Sequence, residues 1–264
     1  MSFCVDLISE DSFYENITLG IANLLEADSR ICNIKVERRM ACDRVALSTW
    51  EQRHSTSLPE DLRNFYASTD GFLLTWHYKY SADDTLQVGT ISVNSLNELC
   101  LTPSLKDLLD FSLTRPNNGP RPILNTKSKV LELDTCRSIG KVCICKHLEQ
   151  NKSDVCLVHT GGSWSIWLAT REGAWGWLAD DFTHYFRMAL VHLGLPGWQA
   201  AFANLPLIPW AEQLFLLLAP HLLDKTGDDE KSNAVAGDAA LNHVDPNIFK
   251  TSVRHHKHTH RQTN

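Results

Sequence analysis

Apolar residues along this chain change their spacing several times, and each change marks an element. The densest pattern lies between Trp50 and Trp76. Leu62, Phe65 and Tyr66 recur at i, i+3 and i+4, like one face of a helix. Phe72, Leu74, Trp76, Tyr78 and Tyr80 instead alternate with more polar residues, as in a half-buried strand. Pro59 has the fixed φ that suits a first helical turn, and Glu60 and Asp61 place negative charge at the positive end of the helix dipole. Asp70-Gly71 supplies the stop, because glycine takes the left-handed conformation at low cost. The stretch predicts helix, tight turn and strand, with Trp50 and Trp76 in the core between a helix layer and a sheet.

The other segments read in the same way. Ser12 to Glu15 has capping-box spacing ahead of Ile17, Ile21, Leu24 and Leu25, which predicts one amphipathic helix of about three turns. Residues 31–37 form a short strand. From Asp43 a second helix brings Val45, Ala46 and Trp50 toward the central stretch. Leu86, Val88, Ile91 and Val93 add one or two strands, and 101–128, rich in Pro, Asn and Gly, is a surface loop. Four short apolar runs at 129–134, 141–147, 154–159 and 163–169 predict an antiparallel meander. Leu178, Phe182, Tyr185, Phe186, Ala189 and Leu193 mark a long helix stopped by Gly194. Pro196 then opens a segment with Trp198 and Phe202, and Pro209 opens one with Trp210, Leu214, Phe215 and Leu218. The expected fold is α+β: a single domain over 12–222 with a mixed, mostly antiparallel curved sheet flanked by helices. Residues 223–264 carry few large apolar groups and are expected to form a disordered polar tail, basic at its end.

Composition narrows the class of protein. An apolar fraction of 43% supports a substantial core, and a formal charge of −6 argues against general affinity for nucleic acid or anionic membrane. Residues 254–264 hold three Arg or Lys and no acid, so the remainder stands at −9 and the tail is expected to be the only local basic element. Eight cysteines in 264 residues, behind an N-terminus with four acids and no long apolar run, imply reduced thiols and a cytoplasmic protein.

Candidate chemistry is sparse. Cys136, Cys143 and Cys145 lack a second pair at zinc spacing and are expected to be buried structural thiols. His159-Thr-Gly-Gly fits a hairpin turn, since no Lys-Ser/Thr follows as a phosphate loop requires. Asp180-Asp181 suits a helix cap. His255, His256, His258 and His260 sit in a segment with no fixed geometry for a metal. Trp164, Trp167, Trp175 and Trp177 serve either as cross-strand packing, the preferred role, or as a binding platform. No catalytic, cofactor-binding or metal residue is nominated. An enzyme would require His159, His184 or a cysteine to meet a carboxylate or thiol in a cleft.

The run Trp50-Glu51, Leu58-Pro59-Glu60-Asp61-Leu62, Phe65-Tyr66, Asp70-Gly71-Phe72 and Thr75-Trp76 resembles the SUKH superfamily. That group includes yeast cell-wall synthesis regulators and bacterial immunity proteins. A closer resemblance is to the family of second, non-catalytic subunits of the tubulin polyglutamylase complex. It is carried by Val130 to Asp134, Gly140 to Cys143, Ile166-Trp167-Leu168, Asp181-Phe182-Thr183-x-Tyr185-x-Arg187 and His192-Leu193-Gly194-Leu195-Pro196-x-Trp198-Gln199, with an echo at Val244-Asp245-Pro246 and Phe249-Lys250.

The resemblance implies a scaffold or targeting subunit, not an enzyme and without a cofactor, in a complex that adds glutamate chains to tubulin. The chemistry would belong to a ligase-like catalytic subunit, with the other complex subunits as further partners. Contact with tubulin or microtubules would be indirect, because tubulin tails are acidic, and no nucleic acid or membrane insertion is expected. The location implied is cytoplasmic and microtubule-associated, at the centrosome or ciliary base. The alternative is a SUKH-type protein-binding module for another cytosolic partner.

Overall fold

The computed structural model describes residues 10–101, 121–124, 128–136, 139–146 and 164–223. All of them fall in one compact unit spanning Met1–Asp224. The expected strand at 154–159, the turn after His159, most of the 101–128 loop and the tail histidines lie outside the described residues.

The N-terminal helix is two helices, α1 (Glu10–Thr18) and α2 (Ile21–Glu26). Leu19 and Gly20 both take positive φ between them, and the Gly20 N–H closes back on the Glu15 carbonyl. The break corrects the expectation of a single helix. Ile17, Ile21 and Leu25 are buried as their spacing predicts, but Leu24 is 64% exposed.

Strand β1 (Ile31–Glu37) follows, then α3 (Arg44–His54), whose first turn is capped by Asp43 accepting from the Ala46 N–H at 2.5 Å. This helix packs through Leu47 and Trp50, while Val45 and Ala46 face solvent. Their expected inward direction is thereby corrected. Helix α4 (Glu60–Tyr66) starts directly after Pro59 and buries Leu62, Phe65 and Tyr66. Gly71 has φ +84, and a Cβ there would meet the Val93 carbonyl at 2.7 Å, so the stop needs glycine for space as well as for conformation.

Strands β2 (Phe72–Lys79) and β3 (Thr85–Val93) complete an antiparallel sheet in the order β1-β2-β3. β2 alternates strictly: Phe72, Leu74, Trp76 and Tyr78 are buried, and Tyr80 lies past the strand end in solvent. Leu86 in β3 is also exposed. Trp50 (5% exposed) and Trp76 (0%) are core residues, as their positions in the pattern predict.

A second antiparallel sheet is a meander of β4 (Lys129–Asp134), β5 (Gly140–Lys146), β6 (Trp164–Thr170) and β7 (Trp175–Ala179). β7 went unforeseen, because its Leu178 fits the helical spacing that follows. Leu178 belongs to β7, and the next helix, α5 (Phe182–Val191), is shorter than its pattern suggests. It ends at His192, with Leu193 and Gly194 in positive φ. Helices α6 (Trp198–Phe202) and α7 (Pro209–Leu218) follow, with Gly197 preceding α6 and Pro209 opening α7, and a 3-10 turn closes Pro220–Leu222. Trp210 is 48% exposed instead of joining Leu214 and Phe215 in the core.

The fold is thus α+β, with antiparallel sheets flanked by helices. One apolar core runs through both sheets and the helices. A smaller cluster of Val130, Cys143, Cys145, Trp167, Ala169 and Trp175 forms around β4–β7.

Candidate interaction surfaces

The two most patterned parts of the chain are built to hold each other. Asp61, expected to serve the dipole of its own helix, accepts from the Thr183 N–H at 2.9 Å and so satisfies an N-terminal donor of α5. The Trp76 indole N–H donates to the Leu193 carbonyl at 2.8 Å, and the Thr90 N–H to the Gly194 carbonyl at 2.8 Å. Gly89 lies directly against the Trp76 ring, where a Cβ would come within 1.7 Å of the indole nitrogen. Phe65, Phe72, Phe182 and Phe186 close the junction with ring centroids 4.7 to 5.9 Å apart. These motifs are committed to the fold.

Beside the Asp70-Gly71 turn, polar groups also satisfy one another. The Tyr14 hydroxyl accepts from the Arg39 N–H at 2.6 Å, and the Asp70 carboxylate accepts from the Leu96 N–H at 2.6 Å. The Arg39 guanidinium reaches Glu37 at 3.0 Å and the Asp70 carbonyl at 3.3 Å. Glu37, Arg39, Met40, Asp70, Ser95 and Glu98 line an open groove of about 370 Å³. A second open groove, about 590 Å³, runs along Ser48, Glu51, Gln52, Ser55 to Ser57 and Lys146, with the Lys146 ammonium 5.3 Å from the Trp164 ring centre. Both are shallow polar surfaces, unlike the enclosed, largely apolar pockets that hold small ligands.

The residues singled out for chemistry do not converge among those described. Cys143 and Cys145 are fully buried in β5, and Cys136 is half-buried nearby in sequence. Burial pushes the Cys136 and Cys143 thiols up to about 12 and raises Cys145 as well, which keeps them protonated and unreactive. Asp181 caps α5 by accepting from the His184 N–H at 2.8 Å, and the His184 ring meets the same carboxylate at 2.7 Å on an exposed surface. His192, at the C-terminal end of α5, is buried and stacked on Trp198 at 5.0 Å, and desolvation lowers its pKa. Trp164, Trp167 and Trp175 are buried, and Trp167 sits directly across from Trp177, which favours the packing role. Among the described residues no group of three or more His, Cys, Asp or Glu side chains is placed to hold a metal.

No family model matches the chain, and no solved structure matches it. Known sequences do. Over 251 residues it is 31% identical to tubulin polyglutamylase complex subunit 2 of the rat, covering 90% of this chain and 80% of the relative. The human protein of that name is 31% identical over 256 residues, covering 90% and 79%, and the mouse protein is 30% identical over 251. The chain belongs to the tubulin polyglutamylase complex subunit 2 family.

For a member of a family named after a complex, the informative surface is one that another chain can cover. α7 presents one that the periodicity alone hides. Its sequence, PWAEQLFLLL, is apolar nearly all round, and such helices are ordinarily buried. Ala211, Leu214 and Phe215 do pack inward, yet Trp210, Leu216 and Leu217 stand at least 48% exposed. The unbroken Leu-Phe-Leu-Leu-Leu run was the signal available in the sequence. Among the described residues no helix is long and apolar enough to cross a membrane.

Proposed function

We propose that the chain is a non-catalytic scaffold or targeting subunit of a tubulin polyglutamylase complex. It would support glutamate-chain addition to tubulin by a ligase-like catalytic subunit. The observation that carries this is the 31% identity across 90% of the chain to relatives named as the second subunit of that complex. Three features support a non-catalytic part: buried thiols held protonated, an exposed His184 engaged by its capping Asp181, and grooves too shallow to exclude water from a reaction. The excess of acid over base favours indirect contact with acidic tubulin tails. A cytoplasmic, microtubule-associated location follows from that role, and the SUKH likeness of residues 50–76 belongs to the same proposal.

The test is co-purification of epitope-tagged chain followed by mass spectrometry. Recovery of a ligase-like subunit with further complex members is the expected outcome. A different stoichiometric partner would replace this function with that of a general SUKH-type binding module. A tubulin glutamylation assay, with the ligase-like subunit present and the chain added or omitted, separates the scaffold from an enzyme. The chain alone should transfer no glutamate, and its addition should raise glutamylation by the ligase-like subunit.

A further inference from the structure

Trp210, Gln213 and Leu217 recur at i, i+3 and i+7 on the outward side of α7, with Leu216 and Glu212 beside them, all exposed. Three large apolar side chains on one ten-residue helix are more than scattered surface hydrophobics, and tryptophan at such a centre is a frequent anchor of binding energy. Charge indicates what covers them. No Lys or Arg occurs between Arg187 and Lys225, and Glu212 is the only charged residue on α7. The last turn of α7 carries no basic residue to offset the negative end of its dipole.

An anionic membrane surface is a poor match, because helices that lie on membranes carry Lys and Arg along the polar face. An acidic peptide such as a glutamate-rich tail is repelled for the same reason. A second copy of this helix would set Glu212 against an α7 that itself carries no Lys or Arg. What fits is an apolar ridge with positive charge at its flanks.

We infer that the outer face of α7, formed by Trp210, Gln213, Leu216 and Leu217, docks an amphipathic helix of a companion subunit. That helix would carry apolar residues along one ridge and Lys or Arg opposite Glu212 and the C-terminal end of α7. The inference rests on the subunit role proposed above. The mode is helix against helix, with apolar anchors setting affinity and the flanking charges setting register.

The experiment co-expresses the full chain with the other tubulin polyglutamylase subunits, one of them tagged, and compares wild type with Leu217→Glu and Glu212→Lys. Both substitutions lie on exposed positions, and circular dichroism checks that folding is intact. Leu217→Glu should reduce recovery of the chain by at least about tenfold, the scale of an anchor residue. Glu212→Lys should weaken it by a smaller factor. Unchanged recovery of both variants beside a wild-type chain that assembles overturns the inference and leaves the subunit role standing. A wild-type chain that recovers no companion overturns the role itself.

A photo-crosslinker at position 213 identifies the occupant. A crosslink to a companion subunit supports the inference. A crosslink to a second copy, or within the chain to residues 225–264, overturns it.

Discussion

The two sheets of this protein bury their residues differently. In the three-stranded sheet, β2 alternates between buried and half-exposed positions along Phe72 to Lys79, and its core side chains all point one way. In the four-stranded sheet, all of Trp164 to Ala169 in β6 and all of Val142 to Cys145 in β5 are buried, so both faces are covered. A one-faced sheet concentrates its stabilisation in a row of large side chains. A two-faced sheet spreads it over both faces, where a polar side chain must find a partner, as Ser165 does by accepting from the Trp167 indole N–H at 2.6 Å.

Breaking the one-faced row should have the largest effect. Trp76→Ala removes a fully buried ring and its hydrogen bond to the Leu193 carbonyl, and should cost about 3–5 kcal/mol in denaturant unfolding. If the cost were below about 1 kcal/mol, the pairing of the two motif blocks through this ring would not matter to stability.

Asp134 tests where the sheets meet, since Ser92 of β3 hydrogen-bonds to it and the Asn94 N–H donates to the neighbouring Leu133 carbonyl. Burial raises its carboxyl from the ordinary 3.8 to about 6, with Glu132 adding to the rise. Backbone hydrogen bonds from Cys136 and Thr135 and the Ser92 contact oppose it. The folded state therefore takes up a proton at a pH where the unfolded chain remains ionised. This group's contribution is complete below about pH 4 and is lost as pH rises through about 6, on the order of 2–3 kcal/mol. His192, with its lowered pKa, acts in the opposite direction near neutrality, so the informative quantity is the difference between wild type and Asp134→Asn. That difference should change between pH 4 and 7, and a difference independent of pH would place Asp134 in contact with water.

Thiols sharpen the comparison further. Cys143→Ser puts a hydroxyl into the doubly covered sheet and should cost about 1–3 kcal/mol, whereas Cys32→Ser on the half-buried β1 should stay within about 0.5 kcal/mol. Among the described cysteines, labelling with a thiol reagent should modify Cys100 first and leave Cys143 and Cys145 unmodified until unfolding. In the helix layer, Asp61→Ala should cost about 0.5–2 kcal/mol, because α5 loses a cap from another helix. A loss confined to α4, measured by hydrogen exchange of its amides alone, would show that the bond to Thr183 contributes nothing.

Legibility in the sequence followed the same division. The alternation from Phe72 to Tyr78 is readable because one face meets water, and the i, i+3, i+4 face of α4 is readable for the same reason. β7 was missed because Trp175-Gly176-Trp177-Leu178-Ala179 is buried almost throughout, and continuous apolar runs have no period to separate strand from helix. The direction of Trp210 was missed for that reason too: a helix apolar on every side does not declare which side is inward. Of the residues on the outer face of α7, only Trp210 was named from the sequence, beside Leu214, Phe215 and Leu218; Gln213, Leu216 and Leu217 were not.

The sequence by itself determined the α+β class, the core tryptophans Trp50 and Trp76, the helix start at Asp43, the cap at Asp181, the stop at Gly71 and the family resemblance. All of these depend on short-range spacing, or on residue types whose backbone preferences are local. Tertiary structure alone decided that Asp61 caps a helix 122 positions away, that Trp76 bonds to Leu193, and that the strands divide between two sheets. It also decided that α7 turns a tryptophan and two leucines outward. Such pairings depend on which surfaces meet, and burial, unlike backbone preference, is a property of the neighbours a residue acquires.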